Sequence, residues 1–209
     1  MNKKLILILA CTLFLSACGS QTVTQAPTAT PTPKLVEMAM TDRPKISLTP
    51  RQDGHMLYLK INKISGNISQ IDYELLYDAG DNGAQIEKGL SDTIKDTSAD
   101  ISRDLLLGTE SCTSGCKYNY DAGVTGGTLT MTFTTKNGQV STFVTPFTLN
   151  STADIKKTGE IKLPTENFSV KPKVKLTGSD YFLIMKNFLG GYTVFSSGTN
   201  TLAGDYPQQ

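Results

Sequence analysis

The chain has no tryptophan, one histidine and four cysteines among its 209 residues, and only 19% of them are charged. Each shortage weakens or removes a class of function. Without tryptophan the chain lacks the broadest aromatic surface on which sugars stack. With His55 as its one imidazole, a Ser–His–Asp site would have a single base to draw on, and no Gly-x-Ser-x-Gly elbow accompanies it. A structural zinc site wants four nitrogen or sulfur ligands, more than the folded body offers. Twenty Lys and Arg against 19 Asp and Glu leave a formal charge of +1, far from the basic excess that neutralising nucleic-acid phosphates requires. No glycine-rich phosphate loop opens a helix. No segment carries an i, i+3, i+4 apolar stripe with a cap and a stop, so helix should be scarce.

What is present begins with an address. Met1 to Lys4 is short and basic, Leu5 to Leu15 is an apolar run broken only by Thr12, and Leu15-Ser16-Ala17-Cys18 follows. These are the three regions of a secretory signal in order. About eleven helical residues cannot cross a hydrocarbon core that needs about twenty. The cysteine directly after small residues resembles the lipobox of bacterial lipoproteins. That resemblance implies cleavage before Cys18, a diacylglycerol on its thiol and an acyl chain such as palmitate on its new amino group. The mature chain would then have 209 − 17 = 192 residues and be held on the extracytoplasmic side of a cell membrane or outer membrane. Two or three acyl chains, at about 0.8 kcal/mol per buried methylene, make a durable anchor. Loss of Lys3 and Lys4 leaves 18 basic against 19 acidic groups.

From Ser20 to Lys34 the chain reads SQTVTQAPTATPTPK, which buries too little to fold and, with Pro27, Pro31 and Pro33, favours extended conformers. It serves as a spacer. The expected division is a signal at 1–17, a lipidated linker at 18–34, a β-sandwich at 35–149 and a β-hairpin extension at 150–209.

Beyond Pro44 the pattern turns to period two. Leu57, Leu59 and Ile61 alternate with polar neighbours, as do Ile71, Tyr73, Leu75 and Tyr77. Leu129, Met131 and Phe133 alternate with Thr128, Thr130, Thr132 and Thr134, and threonine suits a solvated strand face. Asn137-Gly138 predicts a two-residue type I′ turn into a return strand from Val140 to Leu149. Shorter strands are expected at Lys45–Thr49, Ala84–Leu90 and Ile101–Leu107. About seven strands between residues 43 and 149 give an all-β fold that resembles immunoglobulin-like or fibronectin-type antiparallel sandwiches in strand count and spacing. Tyr181–Phe188 and Tyr192–Ser196, separated by Leu189-Gly190-Gly191, read as a C-terminal hairpin. Leu202 to Gln209 reads as frayed.

Once the signal is removed and Cys18 is lipidated, the body retains Cys112 and Cys116, with three residues between them. In an exported protein such a pair forms a disulfide. Catalytic dithiols favour two intervening residues at a helix N-terminus, which this segment lacks. The segment from Gly108 to Gly127 is expected as a long loop holding this pair with Tyr118 and Tyr120, the candidate contact residues. Asp78, Asp81 and Asn82 crowd oxygen ligands together, but turn geometry already accounts for Asp81-Asn82-Gly83.

These features point to a non-catalytic surface lipoprotein that binds or scaffolds at the envelope, with no metal, no nucleic acid, and a protein or glycan partner. Two alternatives stand beside it: a thiol-redox factor or minor hydrolase using the Cys112/Cys116 region, and a glycan-binding module.

Overall fold

The computed structural model describes residues 34–81 and 84–208. The signal, the lipidation position Cys18 and nearly all of the arm fall outside the described residues, as do Asn82 and Gly83. Among the described residues the fold is all-β, with one short α-helix.

The alternating segments form the strands that their periodicity predicts. They are β2 (Lys45–Pro50), β3 (Met56–Asn62), β4 (Ile68–Asp81), β5 (Ala84–Ile94), β6 (Ile101–Leu106), β9 (Gly126–Thr135) and β10 (Gln139–Ser151). Ahead of them lies β1 (Lys34–Leu35), and between β6 and β9 the chain adds β7 (Gly108–Cys112) and β8 (Cys116–Tyr120). After β10 come helix α1 (Thr152–Thr158), β11 (Ile161–Leu163), β12 (Phe168–Val170), β13 (Tyr181–Lys186), β14 (Tyr192–Ser196) and β15 (Gly204–Tyr206).

These strands make four sheets. The largest runs β15-β14-β13-β10-β9-β4-β5, with β1 pairing in parallel to the start of β10; β2-β3-β6, β7-β8 and β11-β12 are separate. The three-stranded sheet shares one core with the inner face of the large sheet. Leu48, Leu57, Leu59 and Ile61 pack there with Ile71, Leu75, Leu129, Met131 and Phe133. Thr128, Thr130 and Thr132 of β9 face the other way, so alternation along one strand separates core from solvent.

A second core lies on the opposite face of the C-terminal strands. In β13, Leu183 and Met185 enter the first core while Phe182 and Ile184 enter the second, which explains the unbroken apolar run Phe182–Met185. Ile155, Ile161, Leu163, Phe168, Leu176 and Leu202 cover that second face. Helix α1 delivers Ile155: Ser151 caps it and exchanges bonds with Asp154 in a capping box, and Gly159 closes it in the left-handed conformation at φ 80°.

Several expectations change. Nine strands, not seven, lie between residues 43 and 149, because the segment from Gly108 is a hairpin rather than a long loop. The turn after β9 has three residues, with Gly138 at φ 78° and its N–H donating to the Thr135 carbonyl at 2.9 Å. Asn137 is not at positive φ, so this is a type I turn closed by a left-handed glycine, not type I′. The tail is not frayed throughout, since β15 pairs with β14 and Leu202 is buried. No helix among the described residues is long and apolar enough to cross a membrane.

Candidate functional site

The two expected cysteines and the two expected tyrosines meet on one face of the β7–β8 hairpin. Its register sets Gly108 opposite Tyr120, Glu110 opposite Tyr118, and Cys112 opposite Cys116. Residues facing each other or two apart along an antiparallel pair share a face, so Glu110, both sulfurs and both rings lie together. The disulfide closes the tip around Thr113, Ser114 and Gly115, with its Cα atoms 4.2 Å apart. At the hairpin's base, a Cβ added to Gly108 would sit 2.3 Å from the Asn119 carbonyl oxygen, so only glycine allows β7 to approach β8 there.

Every residue from Glu110 to Tyr120 is exposed. Glu110 Oε1 lies 3.0 Å from Cys112 Sγ. In the oxidised pair this is a contact, because the sulfur carries no proton; in a reduced pair the Cys112 thiol would donate to that carboxylate. The same carboxylate, set opposite Tyr118 across the hairpin, raises that phenol above its ordinary range, by hydrogen bonding first and by its charge second.

The rings form a stack. Tyr120 lies parallel to His55 at 4.4 Å and to Tyr118 at 6.1 Å, with interplanar angles of 6° and 8°. Arg51 stands over Tyr120 at 5.5 Å and donates to its hydroxyl at 3.2 Å. Asp53 grips Arg51 at 2.6 Å and accepts the backbone N–H of His55 at 3.0 Å. Arg51 holds the Asp53 carboxyl below its usual range, against a smaller effect of burial. The His55 ring thus offers Tyr120 a flat stacking surface. Tyr118 and Tyr120 remain 48% and 39% exposed, which leaves ring area for a partner.

The hairpin is fixed at its root. Leu107 donates to the His55 carbonyl and Asp121 to the Leu107 carbonyl, each at 3.0 Å. The Asp121 side chain, 7% exposed, accepts the Tyr77 hydroxyl at 2.8 Å and pairs with Lys88. Burial first, then the bond to Asp121, pushes the Tyr77 phenol well above its ordinary range.

Glu110, Cys112 and Cys116 bring three possible metal-ligand atoms within 4.8 Å of one another. Metal binds the thiolate, and sulfurs joined to each other are not thiolates. Only the reduced hairpin would offer such ligands, and then one fewer than a structural zinc takes. Asp78 to Asp81 form the end of β4, with Asp81 paired to Ala84 of β5; Asn82 and Gly83 lie outside the described residues.

Sequence reasoning found the disulfide and the tyrosines but missed Arg51, Asp53, His55 and Glu110 as their neighbours. One signal was available. A Cys-x-x-x-Cys hairpin tip fixes the register on both sides and puts Glu110 across from Tyr118. The His55–Tyr120 stack joins residues 65 apart and has no local signature. Comparison of the chain with protein-family models, with curated proteins and with solved structures finds no match to any of them.

Proposed function

We propose that the protein acts through the tip of the β7–β8 hairpin, as a thiol–disulfide exchange element carried on a lipid-anchored envelope protein. The observation behind this reading is a disulfide wholly exposed at a hairpin tip with a carboxylate 3.0 Å from one of its sulfurs. Exposed disulfides are the reducible ones, whereas structural disulfides in exported proteins resist reduction.

The exchange would proceed as follows. A thiol of a partner dithiol loses its proton to Glu110 and attacks Cys112 Sγ, forming a mixed disulfide while Cys116 leaves. The carboxylate, 3.0 Å from Cys112 Sγ, disfavours a thiolate there, so Cys116 is the better leaving group. The partner's second thiolate then displaces Cys112. Two electrons and two protons pass to the hairpin, and the partner becomes a disulfide. A reduction potential measured against glutathione tests this: a value more positive than about −250 mV supports exchange, and one below about −300 mV marks an inert staple.

A second reading rests on the aromatic stack. Parallel rings with open area, braced by Arg51, suit recognition of an envelope protein or glycan without catalysis. Unchanged binding of the Tyr118→Ala/Tyr120→Ala variant to intact cells would sink it.

Both readings place the body at the envelope. Lipidation at Cys18 rests on the lipobox resemblance, and blocking the lipoprotein signal peptidase should leave the precursor uncut. The pairing of the three-stranded sheet with the large sheet over a shared core supports reading the scaffold as an immunoglobulin-like sandwich enlarged by its C-terminal strands.

A further inference from the structure

Strand β5 ends the large sheet, and among the described residues it pairs with β4 alone. Its backbone groups divide cleanly. Gly80 of β4 gives its N–H to the Ala122 carbonyl, on the side away from β5, so the even-numbered residues of β4 bond toward β9 and the odd-numbered ones toward β5. The partners of Ala79, Tyr77, Leu75 and Tyr73 in β5 are Ile86, Lys88, Leu90 and Asp92. The outward N–H and C=O groups therefore belong to Gln85, Glu87, Gly89, Ser91 and Thr93, and of these the Thr93 N–H already donates to the neighbouring Asp92 carboxylate at 2.8 Å. Such a row is a template for another strand.

We propose that this edge pairs antiparallel with β5 of a second copy of the chain, about a two-fold axis at Leu90. Two registers join outward groups to outward groups through the middle of the strand, one centred on Gly89 and one on Leu90. Centred on Gly89, Lys88 would face Leu90 and Ile86 would face Asp92, apolar against charged at both positions. Centred on Leu90, Lys88 faces Asp92 of the second copy, the reciprocal pair repeats, Leu90 meets Leu90, and Ile86, 61% exposed, lies beside Ile94. These are non-hydrogen-bonded pairs, in which cross-strand side chains approach most closely.

The charges extend the match. Within each copy Lys88 already pairs with Asp121 and Asp92 with Arg103. Joining the edges produces the alternating row Asp121, Lys88, then Asp92 and Arg103 of the second copy. No like charges meet, and a two-fold contact of this kind is closed and self-limiting.

The test uses the full-length chain in the membranes of the cells that export it. Leu90→Cys should form a disulfide-linked dimer under mild oxidation, well above the level given by Lys156→Cys on the exposed face of α1. Ser91→Pro, which removes an outward N–H and no bond to β4, should abolish that cross-link when added to Leu90→Cys. Because Leu90 also packs against the core, the unsubstituted chain supplies a second measurement: sedimentation should show reversible dimers, weakened about tenfold by Asp92→Lys, which sets lysine against lysine twice. Monomers at every concentration would overturn the proposal. Cross-linking of Gly89→Cys in preference to Leu90→Cys would overturn the register.

Discussion

Replacing Asp121 by alanine tests whether the hairpin is anchored by its root. The carboxylate is nearly buried and serves two partners, the Tyr77 hydroxyl at 2.8 Å and the Lys88 ammonium. Tyr77 is itself buried, so losing its acceptor leaves a hydroxyl without a partner, at about 1–3 kcal/mol. Lys88 is more than a third exposed and can turn to water, so its share is discounted to about 0.5 kcal/mol. The expected loss is about 1.5–3.5 kcal/mol, which for a body of this size lowers Tm by about 3–14 °C. Urea unfolding of the variant beside the unsubstituted protein measures it. Amide exchange should quicken at Leu107 and across β7–β8 before the large sheet responds. A loss below about 0.5 kcal/mol, with hairpin exchange unchanged, would show that the network does not hold the hairpin.

Three further outcomes follow from the packing. The Tyr77 phenol is held protonated in the fold, so its contribution is complete below the ordinary tyrosine pKa of about 10 and is lost progressively as pH rises from there to the raised value of the folded state; stability should fall above about pH 10, and Tyr77→Phe should flatten the fall. Phe182→Ala empties the centre of the second core and should cost about 3–5 kcal/mol by urea unfolding, while Leu183→Ala, two faces of one strand apart, should damage the first core by a similar amount. At Gly127 an added Cβ would lie 2.0 Å from the Leu76 carbonyl oxygen, backbone against backbone, so Gly127→Ala should cost about 3 kcal/mol and cut the yield of folded protein.

The sequence was most legible where a strand buries one face. Leu57–Ile61, Ile71–Tyr77 and Leu129–Phe133 each place every second residue in the core, and period two reads directly from that. The β7–β8 hairpin escaped because neither of its faces is buried across Glu110–Tyr120, so nothing forces its side chains to alternate. Strands β11 and β12 are three residues each, too short to show a period, and α1 buries only Thr152 and Ile155. Tail strand β15 is held by pairing with β14 and by Leu202 in the second core, neither visible in its own residues. At the candidate site, chemistry local in sequence was readable and chemistry assembled by folding was not. Cys112 and Cys116 lie four apart, whereas Arg51 and His55 reach Tyr120 only when β3, β6 and the hairpin are in place.

An exposed disulfide that works, and does not merely hold the tip, must open and close at the potentials of exchange. Equilibrating the folded protein with defined ratios of reduced and oxidised glutathione, and counting free thiols at Cys112 and Cys116 after alkylation, tests it most directly. The expected result is a potential more positive than about −250 mV and slower exchange in Glu110→Gln, which lacks the proton acceptor. A pair that stays oxidised below about −300 mV, or a Glu110→Gln variant that exchanges at the unsubstituted rate, would contradict it.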